Sequence, residues 1–71
     1  MIDGFKLTIR EQEILRLIAR GLMNKQIALE LGITEQVIKN YVSRILKKLG
    51  AVNRIDAVLK ASQHGLIQFD V

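Results

Sequence analysis

The stretch NKQIALELGITEQVIKNYVSRILKKLG, residues 24–50, decides the fold. Two helical periodicities meet inside it. Before the break, Ile27, Ala28 and Leu31 recur on one side of a short helix. After it, Ile38, Val42, Ile45 and Leu49 recur on one side of a longer one. The break itself is Leu31-Gly32-Ile33-Thr34. Glycine takes the left-handed backbone just past a helix end, and threonine is a good residue with which to start the next. A short helix, a tight glycine turn and a longer helix closed by Gly50 have the form of a helix-turn-helix.

Working outward, the same punctuation recurs. Thr8-Ile9-Arg10-Glu11 has the capping-box pattern, in which the hydroxyl and the carboxylate each satisfy a free backbone donor. Ile14, Leu17 and Ile18 follow at helical spacing, and Gly21 ends that run. Asn24 is the expected cap of the second helix. On the far side, Asn53 with Asp56 opens a fourth helix, with Ile55, Val58, Leu59 and Ser62 as its inner stripe and Gly65 at its end. The expected fold is therefore all-α, a four-helix domain with helices at about 8–20, 24–31, 35–49 and 53–64. Residues 1–6 read as an N-terminal extension, 7–67 as the domain and 68–71 as a tail. Leu66, Ile67, Phe69 and Val71 are expected to form a packed terminal strip.

Composition narrows the function classes. Seventy-one residues with an apolar share of 49% support one core and no second domain or large cleft. There is no Cys and a single His, so a disulfide framework, a thiolate nucleophile and a zinc cluster are excluded. No carboxylate pair stands in a plausible cleft, and no apolar run approaches a membrane span. The expectation is a cytoplasmic protein that is not an enzyme, uses no cofactor or metal and inserts in no membrane. Lys and Arg number 11 against 7 acids, a net charge of +4. A small basic domain favours anionic partners, nucleic acid first. The charge is unevenly placed. Between Gln36 and Ile55 there are five cations (Lys39, Arg44, Lys47, Lys48 and Arg54) and no acid.

Turning the third helix through about 100° per residue sets Gln36, Asn40, Ser43 and Lys47 opposite the apolar stripe, with Lys39 and Arg44 beside them. Amides can pair with adenine, Lys and Arg with guanine or phosphate, and Ser with several partners. A solvated face with no partner usually mixes signs, because Glu forms helices as well as Lys does. The absence of a carboxylate on this stripe points to an anion.

At this point the sequence resembles a known family, the LuxR-type (GerE/FixJ-like) helix-turn-helix domain of bacterial transcription regulators. The carrying residues are Leu7-Thr8-Ile9-Arg10-Glu11, Leu17-Ile18-Ala19-Arg20-Gly21, Asn24-Lys25-Gln26-Ile27-Ala28, Ile33-Thr34-Glu35 before Val37-Ile38-Lys39, then Lys48-Leu49, Val52, Arg54 and Ala57-Val58. The resemblance implies that the third helix enters the major groove of double-stranded DNA, with Lys39, Asn40 and Ser43 touching bases or nearby phosphates. It places Lys25 and Thr34, at helix starts, near phosphates. It also implies a homodimer through the last helix, for which Ala57, Lys60, Ala61 and His64 are the expected interface. Four positions depart from the family pattern. Met23 stands for Ser or Thr, Val37 for Thr, Tyr41 for a frequent His and Arg44 for a frequent Asn. Arg54 either meets DNA or pairs with an acid of the first helix such as Glu11 or Glu13, the structural role being favoured. Tyr41 is expected at the edge of the core.

Two functions of different class follow. The first is sequence-specific DNA binding by a transcription regulator, through Lys25, Thr34, Gln36, Lys39, Asn40, Ser43, Arg44 and Lys47. The alternative is a protein-interaction module of the same fold, for example a heterodimeric antagonist of a related regulator. The chain reads equally as a free-standing regulator or as the C-terminal domain of a longer one.

Overall fold

The computed structural model describes residues 6–67. They form four helices in chain order: α1 (Ile9–Ala19), α2 (Asn24–Leu31), α3 (Glu35–Leu49) and α4 (Arg54–Gln63). No strand occurs among the described residues. The expected bounds are met to within one residue, the difference being whether the cap residues are counted.

Local chemistry sets three of the four helix starts as anticipated. The Thr8 hydroxyl accepts from the Glu11 amide at 3.1 Å, while the Thr8 amide donates to Glu11 Oε1 at 2.9 Å, so the capping box closes in both directions. The Thr34 hydroxyl accepts from the Val37 amide at 3.2 Å. Asn53 Oδ1 accepts from the Asp56 amide at 2.8 Å. The start of α2 differs from expectation. Its N-cap is Met23, whose thioether caps nothing, and Asn24 is already helical. The Gln26 side chain reaches back to accept from the Met23 amide at 2.7 Å. Asn24 is committed elsewhere, because its side-chain oxygen is held by Arg54.

Gly32 and Gly50 end α2 and α3 in the left-handed conformation, at φ of 68° and 64°. A side chain there would strain the backbone, so these two residues fix the turn before α3 and the turn after it.

The core lies where α3 packs against each of the other three helices. Ile14, Leu15, Ile27, Ile38 and Ile45 are its fully buried large side chains, with Leu49 and Ile67 at its margins. Val42, expected inside, is half-buried at the edge. Of the expected terminal strip, Ile67 is buried in the core and Leu66 packs against it, while Phe69 and Val71 lie outside the described residues.

Helix α4 is turned away from the expected orientation, although Val58 packs against the core as expected. Ile55 and Leu59, assigned inward, are 72% and 54% exposed, and Val58 and Ser62 are half-buried. Ala57 and Ala61, assigned to a dimer contact, are 1% and 0% exposed. They pack within the domain, so a partner chain cannot reach them. The reason is steric. This helix lies against α1 and α3, and a seam that close admits methyl groups and rejects butyl ones.

One buried charge completes the frame. Glu11 is 1% exposed and receives the Lys48 ammonium at 2.7 Å. Lys48 also donates to the Lys6 carbonyl at 3.1 Å. The start of α1 is thereby tied to the last turn of α3. Burial by itself would push the Glu11 carboxyl up. Hydrogen bonds from Lys48 and the Thr8 amide, with the ammonium's charge, outweigh that and hold its pKa below the ordinary value.

Candidate nucleic-acid interface

Because Ile38, Ile45 and Leu49 are buried, the opposite side of α3 must face out. Gln36, Lys39, Asn40, Ser43, Arg44 and Lys47 are all exposed there. The six predicted residues of this helix thus share one surface, with a carboxylate only at its N-terminal end, Glu35. An acid in a first turn suits the helix dipole. Lys25, at the start of α2, and Thr34, at the cap of α3, are also exposed. Thr34 spends its hydroxyl on the cap.

Within the stripe, two contacts order the side chains. Gln36 Nε2 donates to Asn40 Oδ1 at 3.2 Å, one turn along. That leaves the Asn40 amide protons and the Gln36 carbonyl directed to solvent. The guanidinium carbon of Arg44 sits 4.9 Å from the centroid of the Tyr41 ring. Tyr41 is half-buried against the core, as expected for an edge residue.

Arg54 is structural, with partners other than those expected. Its guanidinium donates to Asn24 Oδ1 at 2.7 Å and to the Leu22 carbonyl at 3.0 Å, joining the start of α4 to the start of α2. The acids of α1 are engaged otherwise, Glu11 with Lys48 and Glu13 with Arg10 at 3.8 Å. At the turn between α3 and α4, the Lys60 ammonium reaches Asp56 at 2.9 Å and the Gly50 carbonyl at 3.2 Å. Lys60 and the Val52 amide, both donating to Asp56, hold its carboxyl below the usual range. Lys60, expected at a dimer contact, is therefore occupied within its own chain. His64 is exposed at the end of α4.

A second surface was not anticipated. An open groove of about 800 Å³ runs between the end of α1, the loop to α2 and the outer side of α4, walled by Ile18, Leu22, Met23, Ile55, Val58 and Leu59. Its walls are mostly apolar, and Met23, Val52, Ile55 and Leu59 are all more than half exposed. The signal was present in the sequence as the excess of large apolar residues on α4 over what a short helix can bury. Among the described residues, no group of His, Asp and Glu could hold a metal ion, and no helix is long and apolar enough to cross a membrane.

Comparisons with known proteins converge on this architecture. The family model for bacterial regulatory proteins of the luxR family matches residues 6–61. The chain is 48% identical over 67 residues to the uncharacterized transcriptional regulatory protein YvfU of Bacillus subtilis, covering 94% of this chain and 34% of that protein. It is 52% identical over 62 residues to the response regulator protein VraR of Staphylococcus aureus, covering 87% and 30%. The transcriptional regulatory protein DesR of Bacillus subtilis is 46% identical over 59 residues, covering 83% and 30%. The chain thus spans about a third of the length of the curated relatives it matches. The solved structure of the transcription factor GerE superposes with a TM-score of 0.85 at 36% identity, over 90% of this chain and 96% of that one.

Proposed function

The chain belongs to the luxR family of bacterial regulatory proteins, and from that premise we propose that it binds double-stranded DNA sequence-specifically, with α3 in the major groove, as the reading domain of a cytoplasmic transcription regulator. The observation that carries the proposal is the surface of α3. Lys39, Arg44 and Lys47, with Gln36, Asn40 and Ser43, are exposed while its other side is locked in the core. Lys39, Asn40 and Ser43 meet base edges, Gln36 shares Asn40's contact, and Arg44 and Lys47 meet phosphates. Lys25 and the free amides at the starts of α2 and α3 near Thr34 hold the backbone on either side. Phosphate contacts supply most of the affinity and base contacts the selectivity.

Lys39→Ala is expected to weaken binding to the cognate site by about 1–3 kcal/mol without moving the thermal melt. Band-shift titrations check this, and equal affinities for mutant and wild type would remove α3 from the groove. Binding should also fall steeply as salt rises from low to moderate concentration.

Two such domains related by a two-fold axis set their reading helices about 34 Å apart, one DNA turn, and recognise an inverted repeat. We place the dimer contact on the outer side of α4 and the turn before it, at Val52, Ile55 and Leu59, with His64 at its rim. Ala57 and Ala61 lie inside the domain and take no part. Leu59→Glu is expected to abolish cooperative occupation of an inverted repeat, a loss of roughly tenfold or more, and to leave single half-site affinity as it was. Titration of one-site and two-site duplexes separates these quantities. Unchanged cooperativity would move the contact off α4.

The apolar groove beside α4 favours one other reading, a protein-interaction module that docks a related regulator. Random duplex DNA at low salt decides between them. A domain with an intact basic stripe binds such DNA weakly and without sequence preference. A chain that leaves it entirely unbound is the interaction module.

A further inference from the structure

Tyr41 and Arg44 both depart from the pattern the family resemblance implies, and the structure puts the two departures in contact. The Arg44 guanidinium carbon lies 4.9 Å from the ring centroid, inside the range of a cation–π attraction. Tyr41 is anchored, since its ring is half-buried against the core. Arg44 is exposed. One turn further along this edge of α3 stands Lys48, whose ammonium is consumed by Glu11 at 2.7 Å and the Lys6 carbonyl at 3.1 Å. The edge therefore offers Arg44, and not Lys48, to an external anion.

The geometry of the guanidinium gives the contact a use. It is planar, and its five donors lie in that plane. Stacking on an aromatic face occupies the flat side and leaves the in-plane donors free. Those donors match a phosphate's oxygens two at a time. A free arginine loses rotamer freedom when it is fixed, whereas one already held over a half-buried ring has surrendered part of that beforehand. Resting on the DNA-binding reading above, we propose that Tyr41 is a positioning residue: its ring holds Arg44 with its donors aimed beyond the rim of α3 at a backbone phosphate, flanking the bases met by Asn40 and Ser43. The pair substitutes a preset cation for the hydroxyl missing at Val37.

A double-mutant cycle tests this, using the whole chain, a random-sequence duplex and the cognate duplex once selected. Arg44→Ala is expected to weaken binding to both duplexes and to reduce the slope of log affinity against log salt by about 0.9, the value of one lost phosphate contact. Tyr41→Leu is expected to weaken binding roughly two- to fivefold when Arg44 is present and not at all when it is Ala. Tyr41→Phe keeps the ring and should bind as wild type does. In the free protein, the Arg44 δ-protons should resonate upfield under the ring current and return to their ordinary position in Tyr41→Leu. Equal losses from Tyr41→Leu in both backgrounds would make Tyr41 a packing residue only and overturn the proposal. An Arg44→Ala variant with unaltered affinity and salt slope would overturn it too, without any need for Tyr41→Leu to fold. If the wild-type chain binds neither duplex, the DNA-binding reading itself falls, while the proton shifts still report on the stack.

Discussion

Ile38→Ala is expected to cost the domain about 2–5 kcal/mol. Ile38 is fully buried, on the helix that touches all three others. The vacated space has walls on every side, so little relaxation can fill it. At roughly 0.05–0.15 kcal/mol per residue, a chain of 71 residues has only about 4–10 kcal/mol of stability in all. The expected result is a fall in melting temperature of about 10 °C or more, at 4–8 °C per kcal/mol for a domain of this size. Ile38→Val, which removes one methylene, should cost about 0.5–1.5 kcal/mol. Asn40→Ala, two residues on and fully outside the core, should melt within about 0.5 kcal/mol of wild type. Circular dichroism at 222 nm reads all three. An Ile38→Ala protein melting alongside the Asn40→Ala protein would mean that α3 is not the centre of the packing.

Replacing Glu11 should have the next largest effect, and it carries a pH signature. The carboxylate is buried, accepts from the Thr8 amide and from Lys48, and joins the first helix to the third. Glu11→Ala removes one half of the capping box and leaves the Lys48 ammonium without its anion. Breaking a fully buried pair costs about 3–5 kcal/mol. Lys48 keeps 31% of its side-chain surface in water and can turn outward, so about 2–3 kcal/mol is expected here. Glu11→Gln retains an oxygen for the Thr8 amide and loses only the charge, and should cost less than Glu11→Ala.

The pH dependence has a definite sign. The Glu11 pKa in the folded chain is held below its ordinary 4.5, so the unfolded chain binds the proton more readily. The carboxylate's stabilisation is fully present above the ordinary value and drains away as pH falls through the folded one. Asp56, held down chiefly by Lys60, acts in the same direction. Urea midpoints measured at pH 7 and near pH 4 should therefore lie closer together for Glu11→Gln than for wild type. Equal spacing in the two proteins would place the acid sensitivity elsewhere.

Much of this molecule was legible in the order of its residues, and the failures have a common cause. Thr8 with Glu11, Thr34 with Val37 and Asn53 with Asp56 are contacts three residues apart, so their spacing alone reveals them. The glycine at each turn and the outward stripe of α3 are likewise local, being set by helical pitch. What escaped were matters of tertiary distance. Nothing in the sequence says that Lys48, 37 residues later, arrives at Glu11, or that Arg54 reaches back to Asn24 and thereby takes that side chain from the cap of α2. Helix α4 misled for a related reason. Ranking by hydrophobicity turns Ile55 and Leu59 inward, but the gap beside α1 and α3 selects by size and takes Ala57 and Ala61. The Tyr41–Arg44 contact, in contrast, is three residues apart on one helix and was open to a reading of spacing.

The exposed stripe of α3 shares almost no atoms with the core beneath it. On the proposed DNA-binding reading, exchanging Gln36, Lys39, Asn40, Ser43 and Lys47 as a set is expected to re-address the domain to another operator while its melting curve stays put. Positions 38, 45 and 49 carry the opposite freedom, tolerating only what the interior accepts. Tyr41 straddles the two, and an engineer rewriting the address should leave it alone.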